Sequence, residues 1–467
     1  MIEYIVMIPL EANFVMQSQP NLGTEPIGKL LRRLAIPTIT AQLVNMLYNL
    51  VDRIYIGHIP EIGTAALTGV GVCMPIIMLV SAFAAMAAMG GAPRASIQMG
   101  KGDNAAAERI MGACAALLAC ISLALTAVLT IWNRPLLMMF GASENTITYA
   151  TRYMGTYALG TIFVQMTLGL NAYITAQGFS KVSMLTVLIG AVLNTILDPI
   201  FIFVLGMDVQ GAALATIISQ AVSCLWVVKF LTGPKTTLRL RLPMIRLDWQ
   251  ILGPCVALGL APFIMQSTES ALAVCFNSSL LRYGGDVAVG TMTILTSIMQ
   301  FVMLPLSGLS QAASPIISFN FGAKKFDRVK QGFWMLVKSA AVYSAVMWLM
   351  LMLAPQVFVG LFTPDQALIA YAMPCVRIYM AASLLFSVQL SCQQTFVALG
   401  NAKCSLFLAC LRKLILLIPL IYLMPAVLPG DKVSAVFMAE PVADIIAVTC
   451  TVILFAREYR KLNADPV

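Results

Sequence analysis

Uncharged runs long enough to cross a bilayer recur along the whole chain. Segments 62–93, 110–133, 153–180, 209–228, 287–323, 339–364 and 378–402 contain no Asp, Glu, Lys or Arg. Five more, at about 34–58, 181–206, 253–281, 411–428 and 433–456, carry one or two charges each. A helix needs about 20 apolar residues to cross the hydrocarbon. The pattern therefore predicts twelve spans. Backbone groups in lipid must be satisfied internally, and the strict alternation of a barrel is absent, so the spans are helices. The expected fold class is all-α integral membrane.

Composition agrees. The chain has 467 residues, of which 60% are hydrophobic and 10% charged, with a mean hydropathy of +0.88. Soluble domains carry roughly 25% charged residues. A soluble enzyme, a disordered chain and a disulfide scaffold are excluded on this ground. The eleven cysteines form no C-x-x-C pair and lie almost all in apolar runs, which reads as packing. Glu3, Pro9, Glu11 and Glu25 are the wrong grammar for a cleavable signal peptide.

The net charge of +9 raises nucleic acid as a partner, but its distribution argues otherwise. Twelve spans put both termini on one side of the membrane. Of 29 Lys and Arg, 23 fall in the loops and tails of that side, Arg412 and Lys413 among them. Only Arg53, Arg134, Arg152, Arg282, Arg377 and Lys432 fall opposite. The positive-inside rule then makes both termini cytoplasmic.

The chain repeats itself at an offset of 222 residues. Pro93 falls on Pro315, Gly100 on Gly322, Tyr149-Ala150 on Tyr371-Ala372 and Tyr157 on Tyr379. Ala176-x-Gly178-x-x-Lys181-x-Ser183 falls on Ala398-x-Gly400-x-x-Lys403-x-Ser405. Each half holds six spans, so the halves enter the membrane in the same sense. They form a parallel repeat of two bundles facing a central cavity, a common transporter plan. The expected organisation is a cytoplasmic segment 1–33, an N-lobe 34–231, a cytoplasmic loop 232–252, a C-lobe 253–456 and a cytoplasmic tail 457–467. A channel is the alternative, although channels more often build pores from identical subunits.

Charge in hydrocarbon is costly, so polar residues in the spans ask for a reason. Gln42, Asn45, Asn49 and Asp52 fall within an arc of about 80° on the first span. They predict a cavity-facing stripe; an interfacial Asp52 bonded to Arg53 is the bland alternative. Asn194 and Asp198 are four apart, and Pro199 deprives the Thr195 carbonyl of its helical partner. Oxygens of Asn194, Asp198 and the freed carbonyl converging there suit a hard cation, or a proton on the acid. The alternative is a Pro-capped helix end. Thr216 follows the small residues Gly211 to Ala215 and has its own backbone as an alternative partner.

In the second half, Gln266, Glu269, Ser270 and Asn277 share one arc, and Phe386, Gln389, Gln393 and Phe396 another. A wall of aromatics and amides with one acid suits an amphipathic cation. Helix–helix hydrogen bonding explains the Gln stripe equally well. Glu440 and Asp444 flank Pro441 and either line a water path or pair with a base. The acids are not duplicated: the offset puts Asp52 on Val274, Asn194 on Leu416, Asp198 on Leu420 and Glu269 on Leu47. Packing needs recur in both halves, whereas a coupling site need occur once. The lone His58 reads as interfacial.

At these residues the chain resembles the bacterial branch of the multidrug and toxic compound extrusion (MATE) family, over about residues 28–458. The resemblance rests on Leu47-Tyr48-Asn49-Leu50-Val51-Asp52 with Gly57, Asn194-x-x-x-Asp198-Pro199, Gly211-Ala212-Ala213-x-Ala215-Thr216 and the repeated Gly…Lys-x-Ser motif. It implies a V-shaped pair of lobes and export of drug-like, often cationic compounds in exchange for H+ or Na+. It implies a cation site at Asp52, Asn194, Asp198 and Thr216, with Na+ at Asp52, Asn194 and Asp198 as one occupant. Some members use acids of the C-lobe; here the tenth span offers Gln389, Gln393 and Gln394 but no acid, leaving Glu269 alone. The expectation is a monomeric multi-pass protein of a bacterial cytoplasmic membrane, with small-molecule substrates and the lipid bilayer as partners, and no cofactor beyond the transported ion. A flippase or exporter of a lipid-linked or other endogenous metabolite is the rival, and it calls for a cationic cavity where the spans are nearly free of Lys and Arg. One histidine leaves little for a hydrolase, and no G-x-x-x-x-G-K-[ST] loop is present for ATP.

Overall fold

The computed structural model describes residues 20–464. Glu3, Pro9 and Glu11, and the last three residues of the tail, lie outside the described residues. Those described are helical, with no strand among them. Nine helices are long and apolar enough to cross a membrane, and two bent pairs add one span each. In order these are α1 (Ile27–Gly57), α2 (Gly63–Gly100), α3 (Asn104–Ile131), α4 (Ile147–Leu159 with Thr161–Ala176, bent by 57°), α5 (Ser180–Val204) and α6 (Asp208–Thr232). After the linker come the 74-residue element Trp249–Gly322, α9 (Phe326–Leu353), α10 (Gln366–Tyr379 with Ser383–Ala398, bent by 45°), α11 (Ala402–Val427) and α12 (Lys432–Leu462).

The 74-residue element is two spans, α7 (249–284) and α8 (286–322). Gly285 interrupts it at φ 63°, ψ −159°, a backbone region open essentially to glycine alone. The chain doubles back there. On α2, a Cβ at Gly90 would meet Cys255, while Ser96 Oγ donates to the Pro315 carbonyl oxygen at 3.4 Å. Six residues of helix cover about 9 Å, whereas a straight helix would hold Cys255 and Pro315 about 90 Å apart. The count is therefore twelve, as the hydrophobic runs require.

The repeat is written into the element boundaries. Helices start at Ile27 and Trp249, Asn104 and Phe326, Asn133 and Pro355, Ser180 and Ala402, each pair separated by 222 residues. Left-handed backbone recurs at the same spacing: Gly102 with Lys324, Gly178 with Gly400, Asp208 with Gly430. Positive φ at a lysine and an aspartate is uncommon, so these turns reflect a shared backbone plan that side chains follow or tolerate.

Two apolar cores belong to one half each. One gathers residues of α2 to α6 with the end of α1, including Ile56, Val70, Tyr153 and Val209. Its counterpart includes Phe276, Leu295, Val376 and Phe437. At the end bearing the basic loops the cores are shared. Leu30, Leu31 and Leu34 of α1 pack with Ala312, Ile316, Val329 and Leu336 of the second half. Leu252 and Cys255 of α7 pack with Ala92, Met111 and Tyr173 of the first. Leu30 and Leu252 are themselves one repeat apart. The bundles therefore interlock at one end and are separate at the other.

The linker is docked on the first half. Gln177 Oε1 accepts from Thr236 Oγ1 (2.8 Å), Thr237 N (2.9 Å) and Leu238 N (2.8 Å). Glu108 accepts from the Arg239 amide at 2.9 Å and pairs with Arg241 at 3.2 Å.

Two basic residues are not where the charge pattern puts them. Arg412 and Lys413 lie well inside α11, in a π-helical stretch Leu411–Leu417, rather than in a loop. The spans are thus less free of Lys and Arg than the sequence suggests. The side bias survives their removal from the 23.

Candidate functional site

A cavity of about 400 Å³ opens mainly into the first bundle and is closed by the second, lined from α1, α2, α4, α5 and α6 with a few residues of α7, α8 and α10. Its wall is mostly apolar and is dotted with amides and hydroxyls, Gln42, Asn45, Asn171, Gln266, Gln311 and Gln394 among the amides, with no charged side chain among the lining residues. The repeat shows in it: Ala92, Pro93 and Ser96 face the same space as Ser314, Pro315 and Ser318. Gln42 Nε2 donates to Gln311 Oε1 at 3.3 Å across the two halves.

Behind this wall the N-lobe cluster comes together. Asn194 and Thr216 line the cavity. Asn194 Nδ2 donates to Asp198 Oδ1 at 3.1 Å and reaches Thr216 Oγ1 at 3.4 Å. Thr216 in turn donates to its own helix at Ala212 O, 3.1 Å. Asp198 is fully buried and Asp52 nearly so. The Asp52 carboxyl neighbours that of Asp198. Pro199 does not end its helix, because a π-helical turn, Ile200–Val204, continues it.

Three oxygens in this cluster have no donor: Asp52 Oδ1, Asp198 Oδ2 and Asn194 Oδ1. Buried acceptors are nearly always satisfied, so a group of three asks for an occupant. Two adjacent carboxylates in a dry place cannot both stay charged cheaply. A proton shared between them meets the need of the two carboxyls, and a small cation among the three oxygens meets that of all three.

The other residues singled out from the sequence lie off this cavity. Asn49 is exposed and donates to Asn45 O at 2.7 Å. Gln389 Oε1 accepts from Thr451 Oγ1 at 2.7 Å. Gln393 is buried and donates to Ser405 O and Oγ at 3.0 and 2.8 Å. That bond has a counterpart: Asn171, one repeat earlier, donates to Ser183 O at 3.3 Å. A contact made in both halves answers a packing need; the shared bond is to the serine's backbone carbonyl, and the hydroxyl joins it only in the second half. The expected acid of the cavity wall, Glu269, is instead paired with Lys413. Glu440 and Asp444 share Arg412, at 2.9 and 2.6 Å.

The sequence reading missed Tyr48 and Gln311 on the cavity wall. The spacing of Tyr48 on the Asn45 side of the stripe was the available signal. His58 closes α1, its Nδ1 lying 2.8 Å from Ile54 O.

Comparison with known proteins places this architecture. The model of the MatE family matches residues 37–200 and 262–423. The multidrug export protein MepA of Staphylococcus aureus (strain N315) is 24% identical over 403 residues, covering 86% of this chain and 88% of that protein. MepA of Staphylococcus haemolyticus (strain JCSC1435) is 25% identical over 359 residues, covering 77% and 78%. Among solved structures, that of the MATE multidrug transporter DinF-BH superposes with a TM-score of 0.86 at 34% identity, covering 94% of this chain and 98% of that one. An outward-facing multidrug resistance MATE family transporter of the MOP superfamily gives a TM-score of 0.87 at 22% identity, covering 94% and 97%.

Proposed function

Since the chain belongs to the MatE family, we propose that it is a secondary active multidrug efflux transporter. It exports drug-like, cationic amphipathic compounds in exchange for H+ or Na+, by alternating access of its two lobes. The observation that carries this reading is the trio of donorless oxygens on Asp52, Asp198 and Asn194, beside a cavity whose mostly apolar wall carries scattered amides and hydroxyls. Relatives named as multidrug exporters support the substrate class.

The geometry also suggests how ion and substrate communicate. Asn194 is the shared element, with its amide nitrogen on Asp198 and its side chain on the cavity wall. Filling the acid pair changes what Asp198 offers Asn194, and so changes the wall that a substrate meets. Coupling needs only that the ion bind the two access states with different affinity. Of the two ions, the proton fits with less rearrangement, because one proton between the carboxyls satisfies both. Sodium would have to gather further oxygens around the three.

The membrane setting follows from the same reading: a bacterial cytoplasmic membrane, both termini cytoplasmic, a single chain working without ATP. The interlocked end of the bundles then faces the cytoplasm and the separate end faces out. The test is efflux of a fluorescent cation from proteoliposomes with pH and sodium gradients imposed separately. Uptake or counterflow driven by either gradient supports antiport; drug movement indifferent to both refutes it.

A further inference from the structure

The acids of α1 and α5 and those of α7 and α12 are treated in opposite ways. Of the first, Asp52 and Asp198 keep oxygens with no donor. Of the second, Glu269, Glu440 and Asp444 each carry a basic partner from α11. Arg412 bonds Glu440 through Nη2 and Asp444 through Nε. Lys413 bonds Glu269 and also donates to Met265 O at 3.0 Å. No side-chain atom of these five residues is a buried group without a partner.

The two bases occupy telling positions. One repeat earlier stand Gly190 and Ala191, which line the cavity beside Asn194. The second bundle thus places two cations where the first has only a glycine and an alanine beside the cavity. Lys413 itself is sealed, its side chain 5% exposed, while its partner Glu269 is 55% exposed. Glu269 follows Gln266 by three residues on α7, hence on nearly the same helix face, and Gln266 lines the cavity. An ion moving between the lobes therefore meets the Glu269 carboxylate with a cation already on it.

We propose that Lys413 is a resident counter-ion: its ammonium fills, at Glu269, the place that the first bundle leaves open for a mobile cation. Glu269 then takes no ion from solution during the cycle, and ion coupling rests on the first bundle alone. This inference rests on the antiport reading above. The charged and titratable groups around the pair are Arg412 on α11, Glu440 and Asp444 on α12 and Tyr379 on α10. Arg412 is committed to the two α12 acids, so it does not replace Lys413.

The experiment is gradient-driven drug efflux in proteoliposomes, as a function of pH and of sodium, for the wild type, Lys413→Gln, Lys413→Arg and the double variant Glu269→Gln/Lys413→Gln. Lys413→Gln uncovers a second ion site, so its ion dependence steepens from a Hill coefficient of about one toward about two. Lys413→Arg and the double variant keep the wild-type slope. A Lys413→Gln protein that transports with the wild-type slope overturns the assignment. If Lys413→Gln does not reach the membrane, the double variant decides: transport with the wild-type slope supports the assignment and loss of transport overturns it. A wild type with no gradient dependence instead overturns the antiport reading beneath it.

Discussion

Gly100 and Gly322, one repeat apart, face each other across the two halves. A Cβ on Gly100 would run into the carbonyl oxygen of Phe319, and one on Gly322 into that of Ile97. Ile97 and Phe319 are also one repeat apart. The contact is self-complementary, as at a two-fold interface, so the pseudo-symmetry axis passes between α2 and α8 here. The obstacle on each side is backbone, which cannot swing away as a side chain does.

Gly100→Ala and Gly322→Ala should therefore each wedge α2 from α8. Overpacking of this kind costs about 1–3 kcal/mol. The expected outcome is a lower melting temperature in detergent and reduced efflux. Cysteine cross-linking between the ends of α2 and α8 should slow in parallel. Wild-type cross-linking rates in both variants would remove Gly100 and Gly322 from the closing contact.

Asp198→Asn keeps the shape and the bond to Asn194 but removes the charge. It should lower gradient-driven efflux by roughly tenfold or more, equivalent to about 1.4 kcal/mol or more of lost coupling, with membrane insertion unchanged. Asp52→Asn should do the same. Thr216→Ala should cost much less, because the Thr216 hydroxyl already returns to Ala212 O. Normal export by the Asp198 variant refutes the assignment of the cluster.

Arg412→Met should destabilise more than any change at the cavity wall. It strands Glu440 and Asp444, and breaking one side of a buried ion pair costs about 3–5 kcal/mol. The triple variant Arg412→Met/Glu440→Gln/Asp444→Asn should recover most of the loss. Thermal unfolding followed by intrinsic fluorescence reads both.

Gln177→Ala should release the linker. Three donors of residues 236–238 lose their shared acceptor, a cost of about 1–3 kcal/mol for the buried ones. Limited proteolysis should then cut within 232–248 faster than in the wild type, with little change in helix content.

Gln42→Ala and Gln393→Ala separate wall from packing. The first should shift the ranking of transported compounds, since Gln42 lines the cavity and bridges to Gln311. The second should lower thermal stability and leave the ranking alone. A changed ranking for Gln393→Ala would put that residue in the substrate path after all.

The twelve helices were legible because lipid forces each crossing to announce itself as a long apolar run. The cluster of Asn194 and Asp198 was legible because four residues is about one helical turn, and its link to Asp52 because a polar stripe needs somewhere to point. Gln393 was not. An amide at helical spacing looks the same in sequence whether it faces a cavity or a neighbouring carbonyl. Comparison of Gln393–Ser405 with Asn171–Ser183 separates the two, and that required the fold. Arg412 and Lys413 resembled loop charges because their partners are remote: Glu440 and Asp444 are 28 and 32 residues away, and Glu269 is 144.

The exchange of leading helices has a consequence for assembly. The first turns of α1 belong to the core of the second half, and those of α7 to the core of the first. Each half-protein made alone would keep a greasy slot and carry a greasy finger with nowhere to lodge. Made together, with the chain severed after Arg246, the fragments hold each other's missing piece and should reunite into a working whole. Such a handshake ties the two bodies together at one end.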